Sequence, residues 1–301
     1  MQILTLQLTL TDHAKKNIMT NMKMSAESAL EELKNKFVFD DYVVGDMGQW
    51  LSVGKTIEKY LTPGDKVFDL GSGPCDKTAI AQYMGCDCTA FDDLRDDWHL
   101  RNNNIEKIEK FAATTDIEFS RAFTPPATGQ FDMVMMNDVL EHIHDSPREL
   151  LNSLISGLRD GGYLFVTVPN LANIRKRIDL LRGKTNLARY DLYYWYRGPW
   201  RGPQREYVRG DLESMCKNLG LEIVELSGVH HMLQRLPKPV RGLYRMVTSV
   251  FPDWRDSWLL VARKPSNWVL KEGLTDAEFA EIYGVTSNST LYTSKTDQDA
   301  A

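Results

Sequence analysis

Short apolar runs alternate with helical patterns between residues 66 and 169, and this alternation limits the possible folds more than any other feature. The apolar runs are short enough for buried strands, and they lie at 66–70, 86–91, 116–120, 131–136 and 163–169. The helical patterns lie at 76–85, 101–113 and 138–160, and Ser146-Pro147 is a candidate break in the last of these. Strands that alternate with helices predict a parallel sheet with helices on both faces and right-handed crossovers.

The rhythm divides the chain into three parts. We expect an N-terminal leader (1–48) with a helix that begins after Ser25, one domain (49–265), and a polar C-terminal tail (266–301). Within the domain, the rhythm stops after the fifth strand for residues 171–210, an insertion that we call the cap. It resumes with a helix at 208–220 and strands at 221–226 and 257–264, which a second irregular stretch separates.

Composition and charge exclude several classes of protein. The chain has 301 residues, of which 43% are hydrophobic, so it is not wholly disordered. A net charge of −5 argues against a basic face over the whole protein. Four cysteines are too few for a disulfide framework and Cys86-x-Cys88 is a poor zinc site, so we expect reduced thiols and a cytoplasmic protein. No apolar run is long enough to span a bilayer, and we expect no membrane partner.

A glycine turn follows the first strand, where open α/β sheets bind their ligands. Gly71 and Gly73 let the backbone approach a ligand closely. A dinucleotide fingerprint would need a third glycine at Asp76, and a carboxylate near a pyrophosphate weakens an assignment to NAD. Asp92 ends the second strand, where its carboxylate can accept both hydroxyls of a ribose.

Four segments together are typical of one family. VFDLGSGP, AFDD, FDMVMMNDVLEH and LRDGGYLFVTVPN occur in this order between residues 50 and 265. They resemble the successive signatures of class I S-adenosylmethionine-dependent methyltransferases, and the LEH form is similar to small-molecule enzymes of the ubiquinone-biosynthesis type. The resemblance implies a doubly wound, mostly parallel α/β sheet of seven strands with the last antiparallel. It also implies S-adenosylmethionine as cofactor.

The resemblance also implies roles for particular residues. Asp69 would support the glycine loop and reach the methionine ammonium, directly or through water, and Gly71 and Gly73 would let the backbone pass under the methionine part. Asp92 would bind the ribose. Asn137 and Asp138 would line the methionine side near the methyl group.

Two positions depart from the family pattern. Cys75 stands where the family often has a third glycine. The third strand of the family usually ends in an aspartate near the adenine amine, whereas this chain has Phe119-Ser120-Arg121-Ala122. Recognition of adenine by that acid is therefore in doubt.

An oxygen nucleophile benefits from a general base. The candidates for this role are His142 and His144 with Asp138, and on a helix Asp138, Glu141 and His142 would share one face. That cluster is an alternative metal site, somewhat like the E-x-x-E-H site of small-RNA 2′-O-methyltransferases, but we expect no metal. The pair His230-His231 is a further base candidate, which we expect on a surface loop.

The cap suggests the kind of acceptor. It holds ten lysines and arginines against three acidic residues, with seven aromatic residues between them. Arginine binds phosphate or carboxylate, and aromatic faces stack on sugars. We therefore expect an anionic or glycosylated small-molecule acceptor. The candidate substrate-binding residues are Arg197, Trp200 and Arg201. The alternatives are a solvated surface, an RNA substrate, or a contact in a homodimer. Gln49 and Trp50 are candidates for a second wall, with core packing favoured for Trp50.

The sequence thus predicts a methyltransferase that acts on a small or carrier-linked acceptor, most simply at oxygen. An RNA methyltransferase is the second hypothesis. A binding or scaffold protein that keeps the fold without turnover is the third.

Overall fold

A computed structural model describes residues 24–39, 47–231, 233 and 236–284 of the chain. One compact unit ends at Trp268, and a second unit begins at Val269. The predicted boundary between domain and tail, at residue 265, lies three residues before this division.

Seven strands form one sheet with the order β3-β2-β1-β4-β5-β7-β6. Their bounds are β1 Lys66–Leu70, β2 Asp87–Phe91, β3 Glu118–Ser120, β4 Phe131–Asn137, β5 Leu158–Pro169, β6 Glu222–Val229 and β7 Ser257–Arg263. Only β7 runs antiparallel to its neighbours, β5 and β6. The predicted doubly wound sheet with an antiparallel last strand is confirmed.

The part of the chain that the structure describes contains ten α-helices. They are α1 Ala26–Lys36, α2 Met47–Tyr60, α3 Asp76–Tyr83, α4 Asn104–Thr114, α5 Arg148–Gly157, α6 Ile174–Leu181, α7 Tyr190–Tyr194, α8 Arg209–Leu219, α9 Lys238–Val250 and α10 Asp276–Tyr283. α10 belongs to the second unit, and the prediction of a polar tail did not include it. None of the described helices is both long and apolar enough to cross a membrane.

The strands alternate their side chains between two cores, as period-two geometry requires. Met133 and Met135 of β4 pack into the core beneath α1 to α4, whereas Val134 and Met136 pack into the core beneath α5 and α8. Both faces of the sheet are therefore buried. Only the edge at the strand ends remains for a ligand, and the order reverses there between β1 and β4.

The N-terminal leader supplies part of the first core. Ser25 begins α1 as predicted, and its hydroxyl accepts a hydrogen bond from the Ser28 N–H at 3.2 Å. Leu30 and Leu33 of α1 are buried in the core that α2 and α3 share. Residues 1–23 and 40–46 of the leader lie outside the described residues.

Two sequence-based predictions of secondary structure were wrong. The helix expected over 138–160 is a short 3₁₀ turn at Leu140–His142, then α5, and then the first residues of β5. Asp138 interrupts a helix there because it has a left-handed φ of 58°. The second irregular stretch contains α9, Lys238–Val250, which the sequence-based prediction missed.

Two glycines at helical positions give opposite expectations for stability. A Cβ at Gly157 would lie 2.4 Å from the Cβ of Pro126, whereas a Cβ at Gly242 of α9 would meet nothing within 4 Å. We expect Gly157→Ala to lower the free energy of unfolding by about 1–3 kcal/mol through overpacking. Gly242→Ala should raise it by about 0.5–1 kcal/mol through helix propensity. Urea unfolding of both variants checks the pair, and equal effects would contradict the packing of α5 on the 126 loop.

Candidate active site

A cavity of about 970 Å³ opens at the carboxyl edge of the sheet, where the strand order reverses. The turns after β1, β2, β4 and β5 contribute its walls, together with α2 and residues 201–203 of the cap. Gln49 and Trp50 of α2, the candidates that the sequence named for a second wall, both line the cavity. Trp50 also packs in the core beside Phe37, at a ring distance of 5.5 Å.

The glycine turn forms the floor of the cavity. Gly71 has a φ of 70°, and a Cβ there would lie 2.5 Å from a methyl carbon of Val139. The Phe91 carbonyl accepts hydrogen bonds from the Gly71 N–H at 2.7 Å and the Ser72 N–H at 3.0 Å. The turn is therefore tied to the end of β2.

Cys75 adopts the conformation that a glycine usually provides. Its φ is 62° and its side chain is fully buried, with the sulfur 3.6 Å from the Ser72 hydroxyl oxygen. Burial raises the pKa of this thiol far above its usual range, so the thiol stays protonated. The departure from the family pattern at this position thus changes the residue and keeps the turn.

Asp92 lies at the end of β2 with both carboxylate oxygens facing donors. One oxygen accepts from the Gly73 N–H at 2.8 Å and the other from the Leu94 N–H at 2.8 Å. Burial raises the pKa of Asp92, and these two N–H groups oppose that rise by stabilising the charged form. The remaining lone pairs are placed to accept hydroxyls from a ligand in the cavity.

Asp76 is a buried carboxylate, which the sequence analysis considered only as an argument against NAD binding. One of its oxygens accepts from the Trp50 ring N–H at 2.6 Å. The other oxygen is buried without a partner among the described residues, and Asp76 lines the cavity. A cationic group of a ligand would satisfy it.

Asp69 lies behind the turn and does not line the cavity. It is 1% exposed and accepts a hydrogen bond from the Thr78 hydroxyl at 2.6 Å. Burial raises its pKa to about 7. Its contact with α3 supports the glycine turn, which is one half of the role that the resemblance implied.

Asn137 and Asp138 line the cavity after β4, as the sequence placed them. The Asn137 carbonyl oxygen accepts from the Thr167 hydroxyl at 3.2 Å, while its amide nitrogen has no partner among the described residues. Asp138 accepts a hydrogen bond from the Gln49 amide and lies 3.6 Å from the Lys77 ammonium. The Asn137 amide is therefore the donor that remains available to a ligand.

The charge of the lining matches a cationic ligand. The cavity is lined by five aspartates: Asp76, Asp92, Asp93, Asp96 and Asp138. Arg201 pairs with Asp93 and Asp96, and Lys77 lies 3.6 Å from Asp138, which leaves Asp76 and Asp92 for a ligand. A sulfonium or an ammonium group fits this lining, because it would bring a positive charge to these carboxylates. A dianionic pyrophosphate would be repelled. The residues present therefore fit S-adenosylmethionine and disfavour NAD.

The far end of the cavity is aromatic. Phe123 lines it and meets Phe91 edge to face at 5.3 Å, offering a ring surface on which a base can pack. His99 lies nearby, 6% exposed, with its Nδ1 unpartnered among the described residues. None of residues 119–122 lines this cavity, so the missing acid after β3 has no counterpart there.

Glu141 is a buried carboxyl group that lines the cavity. Its side chain is 2% exposed, and one oxygen has no partner among the described residues. Burial and the nearby Asp138 charge raise the pKa of Glu141 to about 8, although Lys77 and Lys176 oppose the rise. Glu141 is therefore mostly neutral at pH 7 and can donate a hydrogen bond.

The two histidines of the EHIH motif differ in their tautomers. The Arg201 carbonyl lies 2.8 Å from His142 Nδ1 and can only accept, so this nitrogen carries the proton and Nε2 keeps its lone pair. The Gln204 amide lies 3.0 Å from His144 Nδ1 and donates to it, so in His144 the proton sits on Nε2. Both residues line the cavity, but they are not on one helix with Asp138.

His231 is not on a surface loop, and that prediction was wrong. It is 5% exposed and lines the cavity, and neither ring nitrogen has a partner among the described residues. Burial lowers its pKa, so the ring is neutral at pH 7. His230 instead points at the Thr248 hydroxyl, 3.2 Å away, and does not line the cavity.

The cap closes over the cavity through Arg201. Its guanidinium donates to Asp93 at 2.9 Å and also pairs with Asp96 on the loop after β2. Arg197 is exposed, and Trp200 packs edge to face on Tyr193 and Tyr196; neither lines the cavity. Of the three substrate candidates, the structure therefore brings only Arg201 to the cavity.

The part of the chain that the structure describes contains no preformed set of metal ligands. No three histidine, cysteine, aspartate or glutamate side chains are placed there to hold one ion together. Asp138, Glu141 and His142 do not share the helix face on which the metal alternative depended.

Sequence comparison agrees with the fold and the cavity. The sequence model of the family described as "Methyltransferase domain" matches residues 47–226, more than half of the chain. The chain belongs to this family, and it is an S-adenosylmethionine-dependent methyltransferase. A search of curated proteins finds no match.

Many solved structures resemble the chain at low sequence identity. A putative sarcosine dimethylglycine methyltransferase from Galdieria sulphuraria is 12% identical, with 73% of this chain and 85% of that chain covered and a TM-score of 0.47. A putative methyltransferase from Bacillus halodurans is 16% identical, with 71% and 98% covered and a TM-score of 0.47. The 1,6-didemethyltoxoflavin-N1-methyltransferase of Burkholderia thailandensis, solved with S-adenosylhomocysteine, is 14% identical, with 86% and 93% covered and a TM-score of 0.47.

Replacement of Asp92 tests the ribose site. We expect Asp92→Ala to weaken S-adenosylmethionine binding about tenfold or more, because two charge-assisted hydrogen bonds are lost. Calorimetric titration with S-adenosylmethionine, and separately with NAD, measures this. Asp87→Ala, an exposed aspartate at the start of the same strand, is the control. Unchanged affinity in Asp92→Ala would show that the ribose lies elsewhere.

The raised pKa of Glu141 predicts a pH dependence of stability. Its pKa rises from 4.5 to about 8 on folding, so between these values the folded state binds more protons and stability falls as pH increases. We expect wild type to lose more stability than Glu141→Gln between about pH 5 and about pH 8. Asp69 acts with the same sign in both proteins and cancels in the difference.

Urea unfolding at several pH values measures this difference. Glu149→Gln, an exposed carboxyl at the start of α5, is the matched control and should follow wild type. Parallel pH profiles for wild type and Glu141→Gln would mean that Glu141 is ionised in the folded protein.

Proposed function

We propose that this methyltransferase transfers the methyl group to an oxygen atom of a small or carrier-linked acceptor of anionic or glycosylated type. The observation that carries the proposal is the hydrogen bond from His142 Nδ1 to the Arg201 carbonyl, which leaves Nε2, on the wall of the cavity and 4.0 Å from a Glu141 carboxyl oxygen, as the ring nitrogen that can accept a proton. A hydroxyl acceptor must lose its proton as the new bond forms, and a nearby imidazole lone pair can take it.

The hydrogen bond to the Arg201 carbonyl prepares His142 for this role. It fixes the ring and holds the proton on Nδ1. His144, whose Nδ1 is already engaged by Gln204, supports the same loop and offers no free lone pair. Asp138 is held by Gln49 and Lys77, which suits a positioning role beside the reacting groups.

Neutral polar groups would orient the acceptor at this end of the cavity. Glu141 can donate a hydrogen bond from its protonated carboxyl, and His231 can accept or donate one from its unpartnered ring. His231 is the second candidate for the base, because it is buried, neutral and faces the cavity. Asp138 and Asp256 would stabilise its charged form on protonation.

S-adenosylmethionine supplies an activated methyl group, so the protein must mainly align the acceptor and exclude water. Asp92 would hold the ribose, Asp76 the ammonium group and Asn137 a carboxylate oxygen. Arg201 would keep the cavity covered by its ion pairs with Asp93 and Asp96.

The outer part of the acceptor would meet the cap. The charge of Arg201 is already matched by two aspartates, so Arg197 and the exposed rings near it are the groups that remain for an anionic or sugar portion. An acceptor attached to a carrier would reach the cavity across this surface. Residues 190–195 expose three tyrosines and one tryptophan there.

A panel of acceptors tests the proposal. Purified protein is incubated with methyl-labelled S-adenosylmethionine and, in parallel, with sugar phosphates, polyprenyl-phosphate-linked sugars, phenolic acids and single-stranded RNA. Transfer to a hydroxyl of one of the first three classes is expected. Transfer to RNA alone would favour an RNA methyltransferase. Cofactor binding with no transfer to any class would favour a non-catalytic protein.

Replacement of His142 tests the base. We expect His142→Ala to keep S-adenosylmethionine affinity and to lower kcat about 100-fold on the acceptor found in the panel, because the proton acceptor is lost. His231→Ala is measured beside it, with His230→Ala as the control that leaves the cavity lining intact. Full activity of His142→Ala together with loss in His231→Ala would transfer the base role to His231.

A further inference from the structure

Helix α9 exposes an apolar row along its whole length. Val240, Leu243, Met246 and Val250 are 45–68% exposed, and their spacing of three or four residues puts them on one side of the helix. The helix is held to the protein by its other side, through the buried Tyr244 and Thr248. We call the four exposed residues the apolar row of α9.

The cap exposes a second apolar surface. None of the residues of α6 and α7, all of which the structure describes, is buried. Nine large apolar side chains between residues 178 and 195 are at least 40% exposed: Ile178, Leu180, Leu181, Leu187, Tyr190, Leu192, Tyr193, Tyr194 and Trp195. We call residues 177–195 the outer cap. Contiguous apolar surface on this scale marks an interaction site.

The two surfaces adjoin each other. Arg177 at the base of the outer cap lies over the ring of Trp254, 5.8 Å from its centre. Trp254 in turn stacks on Phe251, the residue that follows α9, at 4.3 Å. The outer cap and the end of α9 are therefore neighbours on the folded protein.

Each segment is connected at both ends to a residue that lines the cavity, six to eight residues away along the chain. The cap leaves the sheet at Pro169 and returns at Arg201, and all of α9 lies between His231 and Ser257. These four residues line the cavity. Whatever binds the apolar row and the outer cap is thus held beside the acceptor end of the active site.

Charge distinguishes between kinds of partner. Residues 236–251 contain three basic residues and no acidic one, and residues 177–195 contain four basic and two acidic residues, in a chain whose net charge is −5. Lys238 and Arg245 are exposed on the same helix as the apolar row. An apolar row with basic residues on the same helix complements an interface in which apolar chains lie beneath anionic headgroups.

We propose that the apolar row of α9 and the outer cap dock on a bilayer surface that carries anionic lipids. The helix lies in the interface, with its apolar row among the acyl chains and its basic residues at the headgroups. Resting on the proposed function, this docking makes a membrane lipid the carrier of the acceptor, which would enter the cavity from the bilayer side. The expectation of no membrane partner considers only spanning segments, and an interfacial helix spans nothing.

Vesicle sedimentation tests the docking without knowledge of the acceptor. Full-length protein is mixed with vesicles of phosphatidylcholine alone or with about one third phosphatidylglycerol. We expect binding to the anionic vesicles that is about tenfold stronger than to the neutral ones and weakens at high salt. The double variant Leu243→Glu/Met246→Glu should weaken binding to anionic vesicles about tenfold or more, because it puts charge into the apolar row.

The matched control is Val224→Glu, which adds a charge at an exposed apolar residue. Val224 lies near the start of β6, whereas α9 follows the end of that strand. It should bind vesicles like wild type. Calorimetric binding of S-adenosylmethionine to all variants shows that they are folded and keeps this test separate from the proposed function. Absence of vesicle binding, or binding that Leu243→Glu/Met246→Glu retains, overturns the proposal. A dimer in light scattering that this variant dissociates, without vesicle binding, assigns the surface to a second copy of the chain instead.

Discussion

The active site depends on a small set of hydrogen bonds that tie the end of β1 to the end of β2. The Phe91 carbonyl accepts from the N–H groups of Gly71 and Ser72, and the Asp92 carboxylate accepts from the Gly73 N–H. These bonds bend the chain sharply after β1 and fix Asp92 against the turn. Val139 closes on Gly71 from the other side, where no Cβ would fit. The turns after β1, β2 and β4 are thereby fixed relative to one another, and together they shape the cavity.

Much of this could be predicted from the sequence because it depends on local patterns. Buried strands appear in the sequence as short apolar runs, and the glycine turn at Gly71 and the carboxylate of Asp92 follow two of them directly. Asn137 and Asp138 were named through the resemblance to class I methyltransferases. The edge of the sheet at which each residue lies can be predicted without knowledge of distant contacts. The doubly wound fold was available for the same reason.

The contacts that the sequence could not provide are those made between distant segments. Asp76 lines the cavity because Trp50 holds one of its oxygens, and His231 does so because the chain after β6 turns inward beside Asp256. Arg201 was expected to bind an acceptor, yet two aspartates on another loop already pair with it. Helix α9 was missed although its apolar residues recur at the helical period. A search for amphipathic period alone would have found it.

Left-handed backbone at non-glycine residues has a consequence for how such chains are identified. Cys75 and Asp138 both have φ near 60°, and both lie in turns that shape the cavity. A sequence pattern that requires glycine at either position represents the left-handed conformation by its commonest residue. Such a pattern rejects chains in which another residue adopts that conformation. The property shared by such turns is a torsion angle, which a one-letter pattern records only indirectly. In this chain, Cys75 and Asp138 supply left-handed backbone without glycine, so the turns keep their shape while the residues differ.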